Sequence, residues 1–421
     1  MSVTPLYISD EKYARNSIVK RISTPDRIIK FKVEWLDDNN EMQVNNGYRV
    51  QFNNTLGPYK GGLRFHPSVN EGVLKFLAFE QIFKNALTGL PIGGAKGGSD
   101  FNPKGKSDFE IMKFCTAFMK ELHKYIGPPM DVPAGDIGVG SREIGYLFAE
   151  YKRVTSTFDG ILTGKPEFFG GSPGRTEATG YGVVYFTEAM LEIEGKESLE
   201  GKICSVSGSG NVALYTIEKL YQLGAIPVSC SDSRGTVYDG RGVDIEYLKE
   251  LKFERRGSLA EYAEKHPEAT YIPTSEYPKG GHAVWNIECY AAFPCATQNE
   301  LTDIDANNLI NNGCVSVSEG ANMPSTPEAI DLLLESKVCF GPAKAANAGG
   351  VAVSNFEMSQ NASMTKWSFE KVDDKLKMIM QDICKNVADA AKEYGVEGNY
   401  VDGANLAGFK KVADVMVAEG I

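Results

Sequence analysis

Residues 202–235 read KICSVSGSGNVALYTIEKLYQLGAIPVSCSDSRG, and this stretch decides the fold. An apolar run, Ile203–Val206, stops at Gly208-Ser209-Gly210, a helical pattern follows, and a second apolar run ends at Asp232. Strand, glycine turn, helix and strand make a βαβ unit. Gly208-Ser209-Gly210-Asn211-Val212-Ala213 fits the GxGxxG/A fingerprint, and Asp232 stands where a ribose contact is expected. Glycines let the backbone approach a pyrophosphate, and the helix N-terminus offers it unpaired N–H groups. The bland alternative is a tight strand-to-helix turn with no ligand.

Working outward, the runs CVSVSEG (314–320) and VCFGPAKAANAGG (338–350) suit further parallel strands whose carboxyl ends line a cleft. The part before residue 170 mixes strands and helices. EMQVNNGYRVQFN (41–53) alternates like a strand pair hinged at Asn46-Gly47, a hairpin signal. Residues 71–90 carry a helical pattern through Leu74, Leu77, Ala78, Ile82 and Phe83. Residues 108–127 carry another, opened by Ser107-Asp108 and closed by Gly127. A last helix over 399–420 packs back on the first part. The expected architecture is α/β with two domains: residues 1–171, rejoined by 396–421, and a Rossmann-type domain over 172–395.

Bulk properties exclude several function classes. A formal charge of −11 argues against a nucleic-acid binder. No apolar run reaches the ~18 residues of a membrane span. The first residues lack the apolar core of a signal peptide, so a cytoplasmic chain is expected. The eight cysteines form no CxxC pair and read as reduced core thiols. The four histidines show no ligand spacing, so no metal is expected.

LPIGGAKGGSD (90–100) reads as a glycine-rich loop around Lys96. It is not a P-loop, because Gly97 follows the lysine where Ser or Thr is required. Its glycines are read as room for a compact substrate and as freedom for positive φ. Lys60 sits in GPYKGG, and Lys84 lies on a mostly apolar helix with Gln81 three residues before it. Buried lysines call for an anion, and a substrate with two carboxylates would satisfy several at once. Asp136, in a Pro/Gly-rich loop, is a candidate partner and proton carrier. Taken singly, each lysine reads better as a surface charge, and only the cluster points to a ligand.

Eight stretches together carry a resemblance: GPYKGGLRFHPSVN (57–70), LPIGGAKGGSDFNPKGKSD (90–108), DVPAGDIGVGSREIGY (131–146), EATGYG (177–182), SGSGNVA (207–213), PCATQNEL (294–301), EGANMP (319–324) and AKAANAGGVAVS (343–354). They resemble the small hexameric glutamate dehydrogenases, within the Glu/Leu/Phe/Val dehydrogenase superfamily. The likeness runs from about residue 20 to the end. It implies an N-terminal substrate and oligomerisation domain, a dinucleotide domain, an active site in the cleft between them, and a homohexamer. It implies oxidative deamination of L-glutamate to 2-oxoglutarate and ammonium with NAD(P), and the reverse.

The resemblance also assigns residues. Lys84 with Gln81 would bind the α-carboxylate, and Lys60 with Ser354 the side-chain carboxylate. Lys96 would be the catalytic lysine and Asp136 the proton shuttle. Gly135 and Arg175 would complete the substrate site. Thr179, Asn322 and Asn347 would meet the nicotinamide side, and Gly208, Ser209, Gly210, Asn211, Val212 and Ala213 the pyrophosphate. Asp232, Ser233, Arg234 and Lys252 would face the adenosine ribose. One local departure stands out: Ser172-Pro173-Gly174-Arg175-Thr176-Glu177 carries a Pro-Gly pair where the family has two aliphatic residues.

Cofactor choice stays open at this stage. Asp232 suits a free 2′-hydroxyl, whereas Arg234, Lys252, Arg255 and Arg256 suit a 2′-phosphate. The cation set favours NADP, with NAD as the alternative. A non-catalytic nucleotide-binding protein is the remaining reading, and the presence of Lys60, Lys84, Lys96, Asp136 and Ser354 together speaks against it.

Overall fold

The computed structural model of the chain describes residues 3, 4, 6 and 10–420. The chain divides into two compact units. The first runs to Arg175 and takes in Val351–Val372 and the chain from Gly408; the second holds Thr176–Gly350 and Asp373–Ala407. Residues 351–372, which the sequence reading grouped with the dinucleotide domain, thus cluster with the first unit.

The first unit is built on a mixed five-stranded sheet: β1 (Arg27–Leu36), β2 (Met42–Asn53), β3 (Tyr59–Phe65), β4 (Gly94–Ser99) and β5 (Asp131–Gly135), in spatial order β1-β2-β4-β3-β5. β1, β2 and β4 pair antiparallel; β3 pairs parallel with both β4 and β5. The expected hairpin at Asn46-Gly47 does not form, because Gly47 lies inside β2, opposite Phe31 on β1 and Ser99 on β4. A Cβ on Gly47 would stand 2.2 Å from the Phe31 ring, so this glycine serves ring packing. The turn comes earlier, where the Asp37 carboxylate accepts N–H bonds from Asn39 (2.9 Å) and Glu41 (3.0 Å) and Asn40 takes φ +62°.

Helix Glu71–Leu87 starts at Asn70, whose side chain accepts from the Val73 N–H at 3.0 Å. Helix Asp108–Leu122 opens with a Ser107/Glu110 capping box. Its apolar stripe joins Trp35, Phe65 and Phe101 in an aromatic wall, with Phe101 and Phe114 stacked at 3.8 Å. Each such buried ring stabilises by about 1.5–3 kcal/mol, which fixes the sheet that carries the site residues.

The second unit contains a parallel sheet of β6 (Ile203–Val206), β7 (Ile226–Pro227), β11 (Ala291–Phe293), β12 (Ser316–Ser318) and β13 (Cys339–Gly341), in order β13-β12-β11-β6-β7. The sequence pattern predicts one strand for the apolar run after the glycine turn. It divides at Val228, and β8 (Ser229–Asp232) joins β9 (Gly235–Tyr238) and β10 (Thr270–Pro273) in a separate antiparallel sheet. Trp285, Leu309, Val317, Leu333 and Phe340 fill a core beside the parallel strands. All eight cysteines are buried and none is bridged. Among the described residues, no helix is long and apolar enough to cross a membrane.

Candidate active site

The Lys96 segment of LPIGGAKGGSD is a strand, not a loop: Gly94–Ser99 is β4, buried along its length. Its glycines do not open space for a ligand. A Cβ at Gly94 would meet the Ile82 backbone at 2.9 Å, one at Gly97 the Tyr48 carbonyl at 2.8 Å, and one at Gly98 the Arg64 carbonyl at 2.0 Å. Only Gly98 takes positive φ, at +151°. The glycines let helix Glu71–Leu87 and the flanking strands close on β4, which leaves Lys96 as its long side chain on the face that this helix covers.

Parallel register places Lys60, Gly62 and Arg64 of β3 on the same face as Lys96. The Lys96 amine donates to Asp136 Oδ1 at 2.7 Å, and Arg64 Nε donates to Asp136 Oδ2 at 2.6 Å. Burial alone would raise the Asp136 carboxyl, but these two cations hold it down at about 2. Gly135 ends β5 immediately before it.

Lys60 is buried, and its amine donates to the Thr163 hydroxyl at 2.7 Å. Burial pushes this lysine well below its usual range; the Arg175 charge lowers it further, while Glu357 opposes. Beneath it the fully buried Arg49 makes a two-pronged pair with Asp131, Nε to Oδ2 at 2.9 Å and Nη2 to Oδ1 at 2.5 Å, and gives Nη1 to the Gly61 carbonyl at 3.0 Å. Asn85 ties the helix to both strands by donating to the carbonyls of Lys60 (3.1 Å) and Gly93 (2.5 Å), and Gln81 donates to the Asn85 side-chain oxygen at 2.7 Å. Lys84, on the next turn, is half-buried. Burial, then the neighbouring Lys96 charge, bring it down to about 8, with Asp136 and Glu80 opposing. Arg175 Nε donates to Ser354 Oγ at 2.9 Å, so the Pro173-Gly174 departure, with Gly174 at φ +72°, leaves this contact in place.

One electrostatic surplus results. The Arg175 charge acts on Lys60 and Lys84, that of Lys96 acts on Lys84, and Asp136 is the carboxylate that touches Lys96 and Arg64. Asp131 pairs with Arg49, and Glu357 with Lys165. A small dianion would answer the excess.

In the second unit Gly208 takes φ +85°, and a Cβ there would meet the Cys295 carbonyl at 2.9 Å. Gly210 caps helix Asn211–Gln222, whose first turn carries no acidic residue and no side-chain cap. Ser209, Gly210, Asn211 and Val212 stay at least partly exposed. Gly320 packs against Cys295 and Val212, and Asn347 donates to the carbonyls of Gly320 (3.3 Å) and Ala321 (3.0 Å) and to the Asn322 side chain (3.0 Å). The buried Asn347 Oδ1 has no hydrogen-bond partner among the described residues. Gly349 abuts Ala178, which brings the half-buried Thr179 to the same end of the parallel sheet. The glycine cradle, the uncapped helix terminus and the unpaired amide oxygen fit a dinucleotide with a carboxamide.

Asp232 and Gly235 pair as β8 meets β9, so Ser233 and Arg234 form an exposed two-residue tip. The Lys252 amine lies 3.1 Å from the Asp232 carboxylate, from a π-helical turn, Glu250–Glu254. This neutralises the acid that would repel a 2′-phosphate, and Arg234 adds a further cation. Arg255 is committed to Glu261 at 2.6 Å.

Three site residues escaped the sequence reading. Thr163 and Asn85 lie in no recognisable motif, and Arg64 stood inside GPYKGGLRFHPSVN without a role. A fourth, Glu300, is pushed up to about 7 by burial, and holds the loop against Gly208 by accepting the Ala296 N–H at 2.8 Å.

Two family models match the chain: Glu/Leu/Phe/Val dehydrogenase, dimerisation domain, over residues 25–153, and Glutamate/Leucine/Phenylalanine/Valine dehydrogenase over residues 170–420. The chain belongs to the Glu/Leu/Phe/Val dehydrogenase family. This family member is 61% identical over 420 residues to an NADP-specific glutamate dehydrogenase of Helicobacter pylori, covering 100% of this chain and 94% of that one. It is 56% identical to an NAD(P)-specific glutamate dehydrogenase of Xylanibacter ruminicola, covering 99% and 92%. The crystal structure of Plasmodium falciparum glutamate dehydrogenase superposes with TM-score 0.95 at 50% identity, covering 100% of this chain and 89% of that one.

Proposed function

We propose that this dehydrogenase interconverts L-glutamate with 2-oxoglutarate and ammonium, with NADP preferred over NAD. The carrying observation is the cationic surplus around Lys60, Lys84 and Arg175, which matches two carboxylates rather than one. Lys84 with Gln81 takes the α-carboxylate. Lys60, Thr163 and Ser354 take the side-chain carboxylate. A leucine- or valine-type substrate would leave Lys60 buried without an anion.

When bound, the nicotinamide supplies the hydride acceptor for the substrate Cα. The protein positions and moves protons. The Lys96–Asp136 contact is the proton path: Lys96 activates the water that attacks the imine carbon, and Asp136 exchanges protons with the departing amine. Asp136 does so by trading its Lys96 contact for the substrate nitrogen. Asn347 Oδ1 and Thr179 orient the carboxamide side. Arg234, Ser233 and Lys252 receive the 2′-phosphate, with the NAD-dependent enzyme as the second reading, favoured by Asp232.

A homohexamer is part of the proposal. The family model over residues 25–153 is a dimerisation domain, and Leu36 (41%), Met42 (61%) and Val44 (59%) are exposed along the edge hairpin of the first sheet. Light scattering should return six copies. The activity is tested by following NADPH and NADH oxidation separately with 2-oxoglutarate and ammonium. Faster loss of NADPH is expected, and loss of neither sinks the proposal.

A further inference from the structure

The segment Ile161–Lys165 belongs to no motif, yet it ties the Lys60 amine to a second buried ion pair. The Thr163 N–H donates to the Pro133 carbonyl at 3.0 Å, which pins the segment along β5, and the Thr163 hydroxyl accepts from Lys60 at 2.7 Å. Directly after it, the Gly164 N–H donates to Glu357 Oε2 at 2.8 Å and the Lys165 N–H to Oε1 at 3.3 Å. The Lys165 amine completes the set at 2.8 Å from Oε1. That amine also donates to the carbonyls of Ile161 and Leu162 and lies 5.5 Å from the centre of the Phe148 ring. Leu162 takes φ +62°, an unfavourable backbone for a leucine that these bonds hold in place. Both charged side chains of the pair are closed off from solvent.

Glu357 has a second connection. It lies one helical turn from Ser354 on helix Gly349–Ala362, and residues three apart share a face. Ser354 accepts from Arg175. The charge of the Glu357 carboxylate acts on both cations, Lys60 and Arg175.

We propose that Glu357 is a positioning residue for recognition of the side-chain carboxylate: it anchors the Gly164 and Lys165 N–H groups and so fixes the Thr163 hydroxyl that orients Lys60. Its charge also opposes the effect of burial on Lys60 and Arg175. A buried ion pair is a weak source of net stability, since desolvation offsets its attraction. An electrostatic role for a nearby site accounts for its placement. Lys165 neutralises Glu357 in part and holds the turn; it acts on substrate only through Glu357.

The inference rests on reading Lys60 as the side-chain carboxylate site, and the test separates the two. KM and kcat are measured for L-glutamate and for L-norvaline, which lacks the second carboxylate. Wild type that does not prefer glutamate overturns the reading of Lys60 itself. Given that preference, Glu357→Gln should raise KM for glutamate by about tenfold, the size of one lost charge-assisted contact, and leave KM for norvaline within about twofold. Because Glu357→Gln strands the Lys165 charge, the neutral pair Lys165→Met/Glu357→Gln is measured beside it and should show the same split. Equal changes for both substrates, no change for either, or a neutral pair that does not fold would make the ion pair purely structural and overturn the proposal.

Discussion

Lys96 on β4 and Asp136, the residue just after β5, meet at 2.7 Å although β4 and β5 are not neighbours. β3 lies between β4 and β5, and the residue that it presents under the contact is Gly62. A Cβ at Gly62 would stand 2.8 Å from the Asp136 Cβ. A missing side chain at Gly62 thus permits the Lys96–Asp136 contact across β3. Lys96→Ala and Asp136→Asn should each keep NADPH binding, read by fluorescence, and lose turnover by about 10³-fold. Gly62→Ala should fall between these and wild type. Turnover near the wild-type rate in Lys96→Ala would refute the role of the lysine.

Substrate binding should take up protons. Lys84, held at about 8, is only part-charged near that pH, and a carboxylate arriving beside it stabilises the charged form. As pH rises through 8 the empty site loses its cation, so the Kd for 2-oxoglutarate should rise. Calorimetry at pH 8 in two buffers of different ionisation enthalpy should show net proton uptake, reduced in Lys84→Met. Binding without uptake, or uptake unchanged in the variant, would rule this out.

Lys60 should decide substrate class. In Lys60→Leu the buried amine is replaced by an apolar side chain, so the glutamate kcat/KM should fall by at least about 10²-fold, while norleucine turnover rises from a low base. A wild-type enzyme that turns over norleucine as well as glutamate would show the assignment to be wrong.

Lys252 should carry cofactor preference through Asp232. Lys252→Ala leaves that carboxylate facing the 2′-phosphate without its partner at 3.1 Å. The KM for NADPH should rise by about tenfold or more, with that for NADH changed by less than about threefold. Equal effects on the two cofactors would place Lys252 outside the 2′-position.

The sequence made the dinucleotide cradle legible because its parts are local: Gly208, Gly210 and the helix at Asn211 are consecutive and obey one backbone rule. The lysines were legible as residue types, but their geometry was not. Lys60, Lys84 and Lys96 are spread over 37 positions from Lys60 to Lys96, and only sheet order shows that Gly62 lets one of them reach Asp136. The glycines around Lys96 misled, since a glycine run reads equally as a loop and as a strand pressed between neighbours. Gly47 misled likewise: Asn-Gly signals a turn, but the Phe31 ring claimed the space above it. Thr163 carried no signal, because a lone threonine acquires meaning only when a distant lysine is folded against it.

The Ser233-Arg234 tip has an evolutionary consequence. It joins two strands of a small antiparallel sheet, and Lys252, the partner of the neighbouring Asp232, rides on an irregular helical turn. Under the proposed reading of this tip, its exposed side chains can change without altering core packing, which would leave redox currency free to drift while the amino-acid chemistry stays the same. Relatives above 50% identity that carry both NADP-specific and NAD(P)-specific names are what such uncoupling produces.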